Sequence, residues 1–402
     1  MEQGEVPEDW RKACIIPIYK GKGDKMDCSK YRGISLLSIP GKVYGRVVVE
    51  RVILCTEGML GEEQCGFRKG RGCVDQVFSI KNMCEKYLEK GKSLYVAFMD
   101  LEKAYDRIDR EALWQVLKIY GVGGRLMDAL KSFYRGSKAC VRVGREESEW
   151  FGVKVGLRQG CVMSPWLFNL YMDGVVREVS ARVMERGAGM QNVGGNGEWE
   201  VSQLLFADDT ALMADSEEKL RNLVTEFGSV CERRKLRVNV DKSKVMRCSK
   251  DEGQGNMRVS LNGEELEEAN CFRYLGVDIA ADGKQAVEVK HRVGEGAKVM
   301  GALRSVWKEK SVSLQAKIGM FEGIVVPTVL YGFESWDLNA EEQKRIEVME
   351  MRCLRTICGV RWFDRLTNNR VRDMCGKKRS FGERADQGVL KWYGHLERMR
   401  DW

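Results

Sequence analysis

Apolar and polar positions change period several times along the chain. Residues 13–18 (ACIIPI) form a short apolar run that predicts a buried strand, closed by a turn at Lys20-Gly21-Lys22-Gly23-Asp24. Val43, Val47, Ile53 and Leu54 recur at helical spacing and predict a helix over 41–60. A second helix is predicted over 74–90, after the Gly/Arg-rich stretch Gly66-Phe67-Arg68-Lys69-Gly70-Arg71-Gly72. Residues 93–100 (SLYVAFMD) predict a strand that ends in a carboxylate, and a helical pattern through Leu113, Trp114, Leu117 and Tyr120 stops at Gly121. Alternation in ACVRV and FGVKV predicts a hairpin over 139–155, and a helix follows from Ser164 to Glu185. In 203–214 (QLLFADDTALMA) two apolar runs flank Asp208-Asp209, which predicts a tight hairpin with the aspartates at its tip. Asp215 and Glu218 have the spacing of a capping box, opening a helix that runs to Arg234. Strands are predicted near 237–248, 257–261 and 271–279, and helices from about 285 to the end. This order places one boundary near 282 and a softer one near 345.

Charge sharpens the second boundary. Lys and Arg number 67 against 59 Asp and Glu, and thirteen Lys/Arg against six Asp/Glu fall in residues 351–402. Such a tail suits a polyanionic partner or a solvated basic surface. The 14 Cys are scattered without a CxxC pair, which predicts reduced, mostly buried thiols. Cys353, Cys358, Cys375 and His395 are the only metal-like grouping, and their spacing fits no zinc pattern. With His291 and His395 the only histidines, a histidine-based triad is poorly supplied. No apolar run approaches the ~18 residues of a membrane span, and residues 1–8 are too acidic for a secretory signal. An intracellular protein without a membrane partner is expected.

The carboxylates carry the candidate chemistry. A strand end (Asp100) and a hairpin tip (Asp208, Asp209) can lie side by side in one sheet, where three acids repel unless cations bind between them. Two Mg²⁺ ions about 3.5–4 Å apart satisfy that charge and clamp the attacking and leaving oxygens of a phosphoryl transfer. Seven segments give this arrangement a context: YKGKGDKMDCSKYRGISLLS (19–38), QCGFRKGRGCVDQVF (64–78), FMDLEKAYDRIDREALW (98–114), GLRQGCVMSPWLFNLYMD (156–173), LLFADDTALMA (204–214), LRVNVDKSKVM (236–246) and FRYLGV (272–277). In this order and spacing the chain resembles the reverse transcriptases of non-LTR (LINE-type) retrotransposons over about 19–280.

The resemblance implies an α+β right-hand polymerase. Residues 1–282 would be fingers and palm, with an antiparallel palm sheet; 283–345 a helical thumb; and 346–402 a basic helical C-terminal region. It puts Asp100, Asp208 and Asp209 on the metal ligands, for two Mg²⁺ with Mn²⁺ as a substitute. Tyr105 falls on an aromatic under the incoming sugar, whose ring would clash with a 2′-hydroxyl; a core aromatic is the plainer reading. Lys20 and Arg32 resemble the basic residues that grip the triphosphate. Gln159 and Gly160 resemble the pair beside the nascent base pair. Lys242 matches a lysine that protonates the leaving pyrophosphate, or is a solvated charge. Arg68 would contact template backbone or structure the fingers. Tyr274, Leu275 and Gly276 resemble the support of the primer end, or are a buried strand. Trp362, Phe363, Trp392 and Tyr393 suit base stacking or a helical core alike.

The implied reaction is RNA-directed addition of dNTPs to a DNA primer 3′-hydroxyl, in the nucleus where chromosomal DNA is the target and otherwise in the cytoplasm. No endonuclease is visible, so a truncated copy of a longer element protein is expected. Two rivals stand beside it: an inactive remnant that only binds nucleic acid, and an RNA-dependent RNA polymerase. Oligomeric state is not legible.

Overall fold

The apolar run after Arg11 becomes β1 (Lys12–Tyr19), which pairs antiparallel with β2 (Tyr31–Leu36) from Cys14↔Leu36 to Tyr19↔Tyr31. The computed structural model describes residues 5–185, 202–250, 257–376 and 379–399. These residues divide into two compact units.

The first unit holds the chain up to Cys73, Leu94–Arg247 and the segment ending at Glu268. Its central strand, β3 (Leu94–Met99), is apolar and buried on both faces, so it reads as a continuous run rather than an alternation. β4 (Lys138–Val143) runs parallel to β1, and β5 (Glu146–Glu147) and β6 (Phe151–Gly152) fold back onto it. β7 (Gln203–Phe206) and β8 (Asp209–Ala214) form the acidic hairpin. β9 (Lys244–Cys248), the short pair β10 (Ser260–Leu261) and β11 (Glu264–Glu265), and β12 (Glu267–Glu268) complete the unit. One sheet has the order β12-β9-β3-β8-β7; it is antiparallel at β3–β8 and β7–β8, but β12 joins β9 in parallel. Helix Ser164–Glu185 is buried almost all round, as a helix inside a core must be. Helix Glu217–Arg233 packs on it and on β3 and β8.

Local chemistry sets the element ends. The Ser38 hydroxyl caps helix Ile39–Thr56 by accepting from the Gly41 amide. The helical pattern after Asp100 breaks in two, because Asp109 caps a new helix, Arg110–Ile119. At the next helix the cap is Ser216, not Asp215; Asp215 instead pairs with Lys219 at 2.9 Å. The strand expected from 237 begins only at Lys244, because Asn239–Ser243 close a hydrogen-bonded turn.

The second unit holds Val74–Ser93, the segment from Cys248 and everything from Ala269. Packing therefore does not follow chain order: a helix from the amino-terminal third belongs here. β13 (Cys271–Tyr274) and β14 (Val277–Ala280) form a hairpin, followed by helices. A single hydrophobic cluster joins Val289, Phe321 and Val325 to Ile346, Leu354, Val371 and Phe381, and so runs across position 345. Of the tail aromatics, Phe363 and Tyr393 are exposed, Trp392 rests half-buried edge-on to Phe78, and the Trp362 side chain lies outside the described residues. No helix among the described residues is long and apolar enough to cross a membrane.

Candidate active site

Register brings the carboxylates together. Phe206 pairs with Asp209 and closes a two-residue turn, Ala207-Asp208. Met99 of β3 pairs with Thr210 of β8, so Asp100, the next residue, stands beside Asp209 on the neighbouring strand. Asp208 and Asp209 are open to solvent by surface area, yet the protein around them still penalises charge. Burial, opposed by the turn's own backbone hydrogen bond and the Arg32 guanidinium, combines with the Asp100 charge to hold the Asp208 carboxyl above the usual carboxylate range. Burial and the charges of Asp208 and Asp100 push Asp209 up to about 6.

The turn is strained and heavily braced. Ala207 has φ +59°, a left-handed conformation costly for a residue with a Cβ. The buried Gln64 carboxamide oxygen accepts from the Ala207 amide at 3.0 Å and from the Gly66 amide at 2.8 Å. Cys65 donates to the Leu205 carbonyl, and Leu205 to that of Glu63. Asn169 donates to the Gly66 carbonyl at 2.5 Å. A Cβ on Gly66 would stand 2.5 Å from the Ala207 nitrogen, so only glycine fits. Asp100 is fixed in turn by 239–243: its amide donates to Ser243 Oγ at 3.1 Å, its carbonyl accepts from Asn239 at 2.8 Å, and Lys242 Nζ lies 3.3 Å from its carboxylate.

Around the aspartates, Tyr105 stacks on Phe168 with centroids 4.5 Å apart and rings within 7° of parallel. Burial, then the Asp208 charge, raises its phenol pKa. Leu157 donates to the Tyr105 carbonyl, and a Cβ on Gly156 would collide with the Asp106 backbone. Gly160, at φ +101°, lets the Gln159 carbonyl accept from Ser35 at 2.7 Å, which places Gln159-Gly160 against β2, the strand of Arg32. Arg32 is exposed. Lys20 is also exposed, with Nζ on the Ser29 carbonyl at 3.0 Å.

Two readings with open alternatives narrow. Arg68 is not available to a template phosphate: it is buried, pairs with Glu57 at 2.9 Å and donates to the carbonyls of Gly61 and Gln64, so it structures its own loop. In the second unit the Tyr274 side chain is 2% exposed and has no surface to offer a primer. Leu275 and Gly276 form a two-residue turn, both with positive φ, whose carbonyls accept from Tyr331 and Arg292. Sequence reasoning missed Gln64, Gly66, Asn169, Asn239, Ser243 and Phe168 as positioning groups. It also missed Arg110 and Arg158, buried arginines that bond mainly to backbone carbonyls, Arg110 to those of Val153, Val155 and Gly156 and Arg158 to those of Trp10 and Arg11 just before β1. All of these lie inside the seven segments, but nothing local distinguishes a brace from a reacting group.

The oxygen-only donors and raised pKa values fit hard divalent cations. Among the described residues no group of three Asp, Glu, His or Cys side chains is placed to hold a metal ion, so the aspartates stand side by side by strand register without forming a cage. The family model for reverse transcriptase (RNA-dependent DNA polymerase) matches residues 20–279. The chain belongs to this family. Curated relatives include RNA-directed DNA polymerases of mobile elements and transposons. The RNA-directed DNA polymerase from mobile element jockey of Drosophila melanogaster is 24% identical over 409 residues, covering 98% of this chain and 42% of the relative. The probable RNA-directed DNA polymerase from transposon BS of the same species is 25% identical over 379 residues, covering 90% and 40%. This reverse transcriptase chain thus spans about two-fifths of the length of these relatives. Among solved structures, telomerase from Candida albicans superposes with a TM-score of 0.49 at 12% identity, covering 90% of this chain and 66% of that one; the likeness is too distant to add weight.

Proposed function

We propose that the chain is the polymerase part of a non-LTR retrotransposon protein, adding dNTPs to a DNA primer 3′-hydroxyl under the direction of an RNA template. The observation that carries this is the pairing of β3 with the β7–β8 hairpin, which sets Asp100 beside Asp208 and Asp209. The three carboxylates would hold two Mg²⁺ ions, or Mn²⁺ in their place. When bound, the ions supply positive charge to the transferring phosphate and lower the pKa of the primer hydroxyl.

The protein's own groups then have separable roles. Arg32 offers a planar fork to the triphosphate and Lys20 a point charge. Tyr105, held flat on Phe168, excludes a 2′-hydroxyl from the sugar position, which favours dNTPs over the rNTPs of an RNA polymerase. Gly160 brings the Gln159 backbone close to the nascent base pair. Lys242, whose ammonium lies 3.3 Å from the Asp100 carboxylate, would be the acid that protonates the leaving pyrophosphate. The Leu275-Gly276 turn, rather than the Tyr274 side chain, supports the primer end. Residues 1–282 act as fingers and palm, 283–345 as thumb, and 346–402 as a basic helical extension. The reading is supported by the family match and by the intact carboxylates.

Primer extension on an RNA template with Mg²⁺ and dNTPs, run beside an Asp208→Asn/Asp209→Asn variant, tests it. Extension by the unmutated chain alone is the expected result. Template–primer binding without extension by either protein sinks it and leaves a nucleic-acid-binding remnant.

A further inference from the structure

Register fixes a row of side chains across the sheet of β1, β4 and β6. Lys12 pairs with Lys138 in parallel, and Lys138 pairs with Gly152 in antiparallel, so the three share one face. Trp150, two residues before Gly152, returns to that face; it is 49% exposed, and the Lys12 ammonium lies 5.8 Å from its ring centre. Beside this row runs an open groove of about 620 Å³ lined by Lys131, Arg135, Lys138 and Lys154. A Cβ on Gly152 would meet nothing within 4 Å, so the groove is open there. Its wall is held in shape by the buried Arg110, which donates to the carbonyls of Val153, Val155 and Gly156 at 2.8–3.2 Å.

Charge balance decides what such a groove takes. Lys138 and Lys12 share Glu8, Arg135 pairs with Glu5, and Asp109 is occupied by Lys235. Glu111 is the other acid on the lining. Lys131 and Lys154 make no ion pair among the described residues. Cations therefore remain in excess next to an exposed indole, with none of these residues drawn from the aspartate site. Phosphates neutralise the surplus, and an unpaired base has the flat face that an exposed Trp stacks on, whereas bases inside a duplex are already stacked.

We propose that this groove binds a single-stranded nucleic acid, with its phosphates along Lys131, Arg135, Lys138 and Lys154 and a base on Trp150, separately from the primer terminus. The choice of nucleic acid as ligand rests on the polymerase reading; the binding itself needs none of the aspartates.

The test saturates the protein with an unlabelled blunt RNA–DNA hybrid and then titrates fluorescent oligo(U) or oligo(dT), following anisotropy. The labelled strand is expected to bind the saturated protein. Lys131→Glu/Lys154→Glu should weaken it at least about tenfold and flatten its salt slope by about 1.4, since each cation on a single strand contributes roughly 0.7. Trp150→Ala should weaken it with the salt slope unchanged, and Lys131→Arg/Lys154→Arg should keep full binding and show that the fold tolerates the sites. Preference between oligo(U) and oligo(dT) identifies the strand as RNA or DNA. Displacement of the labelled strand by the hybrid, or undiminished binding by the Glu variant, overturns the proposal. Primer extension in the same preparation separates the two readings: extension without second-strand binding removes the groove alone, and second-strand binding without extension removes the polymerase alone.

Discussion

Asp209 answers to two opposed demands. The proposed chemistry would need it ionised to hold a cation, while its surroundings resist the charge and push it up to about 6. Because the folded pKa is raised, ionisation of Asp209 costs the fold stability above about pH 6 and nothing below about pH 4, where the group is protonated folded or unfolded. Asp209→Asn should therefore abolish extension, on the order of a thousandfold, while leaving template–primer affinity nearly intact. The same variant should melt higher than the parent at pH 7 and equally at pH 3.5, by no more than about 1 kcal/mol because the side chain faces solvent. A melt at both pH values with and without Mg²⁺ checks this: the ion should stabilise the parent, increasingly as pH rises through 6, and not the variant. Tyr105 makes a second test. Its ring is aimed by Phe168, so Tyr105→Ala should lower discrimination against rNTPs by at least about tenfold, and Phe168→Ala should lower it part of the way. Single-nucleotide kcat/KM for rNTP and dNTP pairs reads this directly; an unchanged ratio removes the gate.

The acidic hairpin is an element held from outside itself. Ala207 keeps its left-handed turn because Gln64 and Gly66, about 140 residues earlier in the chain, press against it. Gly66→Ala puts a methyl group 2.5 Å from the Ala207 nitrogen, too close for the turn to stay in place, and a misplacement of about 1 Å at a reacting group costs about a hundredfold in rate. Gln64→Leu leaves two amides without their acceptor, worth about 1–3 kcal/mol each, and should lower kcat and Tm together. For both variants extension should fall at saturating dNTP with template–primer Kd unchanged; loss of affinity instead would make the loop a binding surface. This also explains what could be read in advance. The elements whose signal is local were legible: Ser164–Glu185 from its apolar density, β7–β8 from two apolar runs around a turn, β3 from its uninterrupted core residues. The juxtaposition of the acidic residues was legible too, as a strand end beside a hairpin tip. Their braces were not, since Gln64, Asn169 and Ser243 act through contacts between distant segments, and a polar residue looks the same whether it faces solvent or a backbone amide. Arg68 shows the converse, a basic residue in a Gly/Arg-rich loop whose charge is spent inside the fold on Glu57.

At the scale of the whole molecule, charge and packing divide the chain differently. The basic surplus begins near 345, and by charge alone the tail would be a separate module. The hydrophobic cluster does not stop there: Ile346, Met349, Leu354, Ile357, Val371 and Phe381 complete the core that buries Val289, Phe321 and Val325. Glu350, 1% exposed, pairs with Arg372 inside the same region, so both ends of that ion pair also lie beyond the boundary. Each large apolar side chain lost from a core costs about 2–5 kcal/mol, and six of them exceed the roughly 5–15 kcal/mol by which a domain is stable. A chain cut after residue 345 should therefore lose more helical signal than the deleted residues contribute, lose the cooperative melting of the second unit, and become cleavable by protease within 283–345. If the tail were instead a separable nucleic-acid module, the shortened chain would melt as before and lose only affinity, with a shallower salt dependence. Circular dichroism and limited proteolysis on the two lengths distinguish these outcomes. The packing predicts the first, because the cations of the tail sit on helices whose inner faces are the other half of the preceding core.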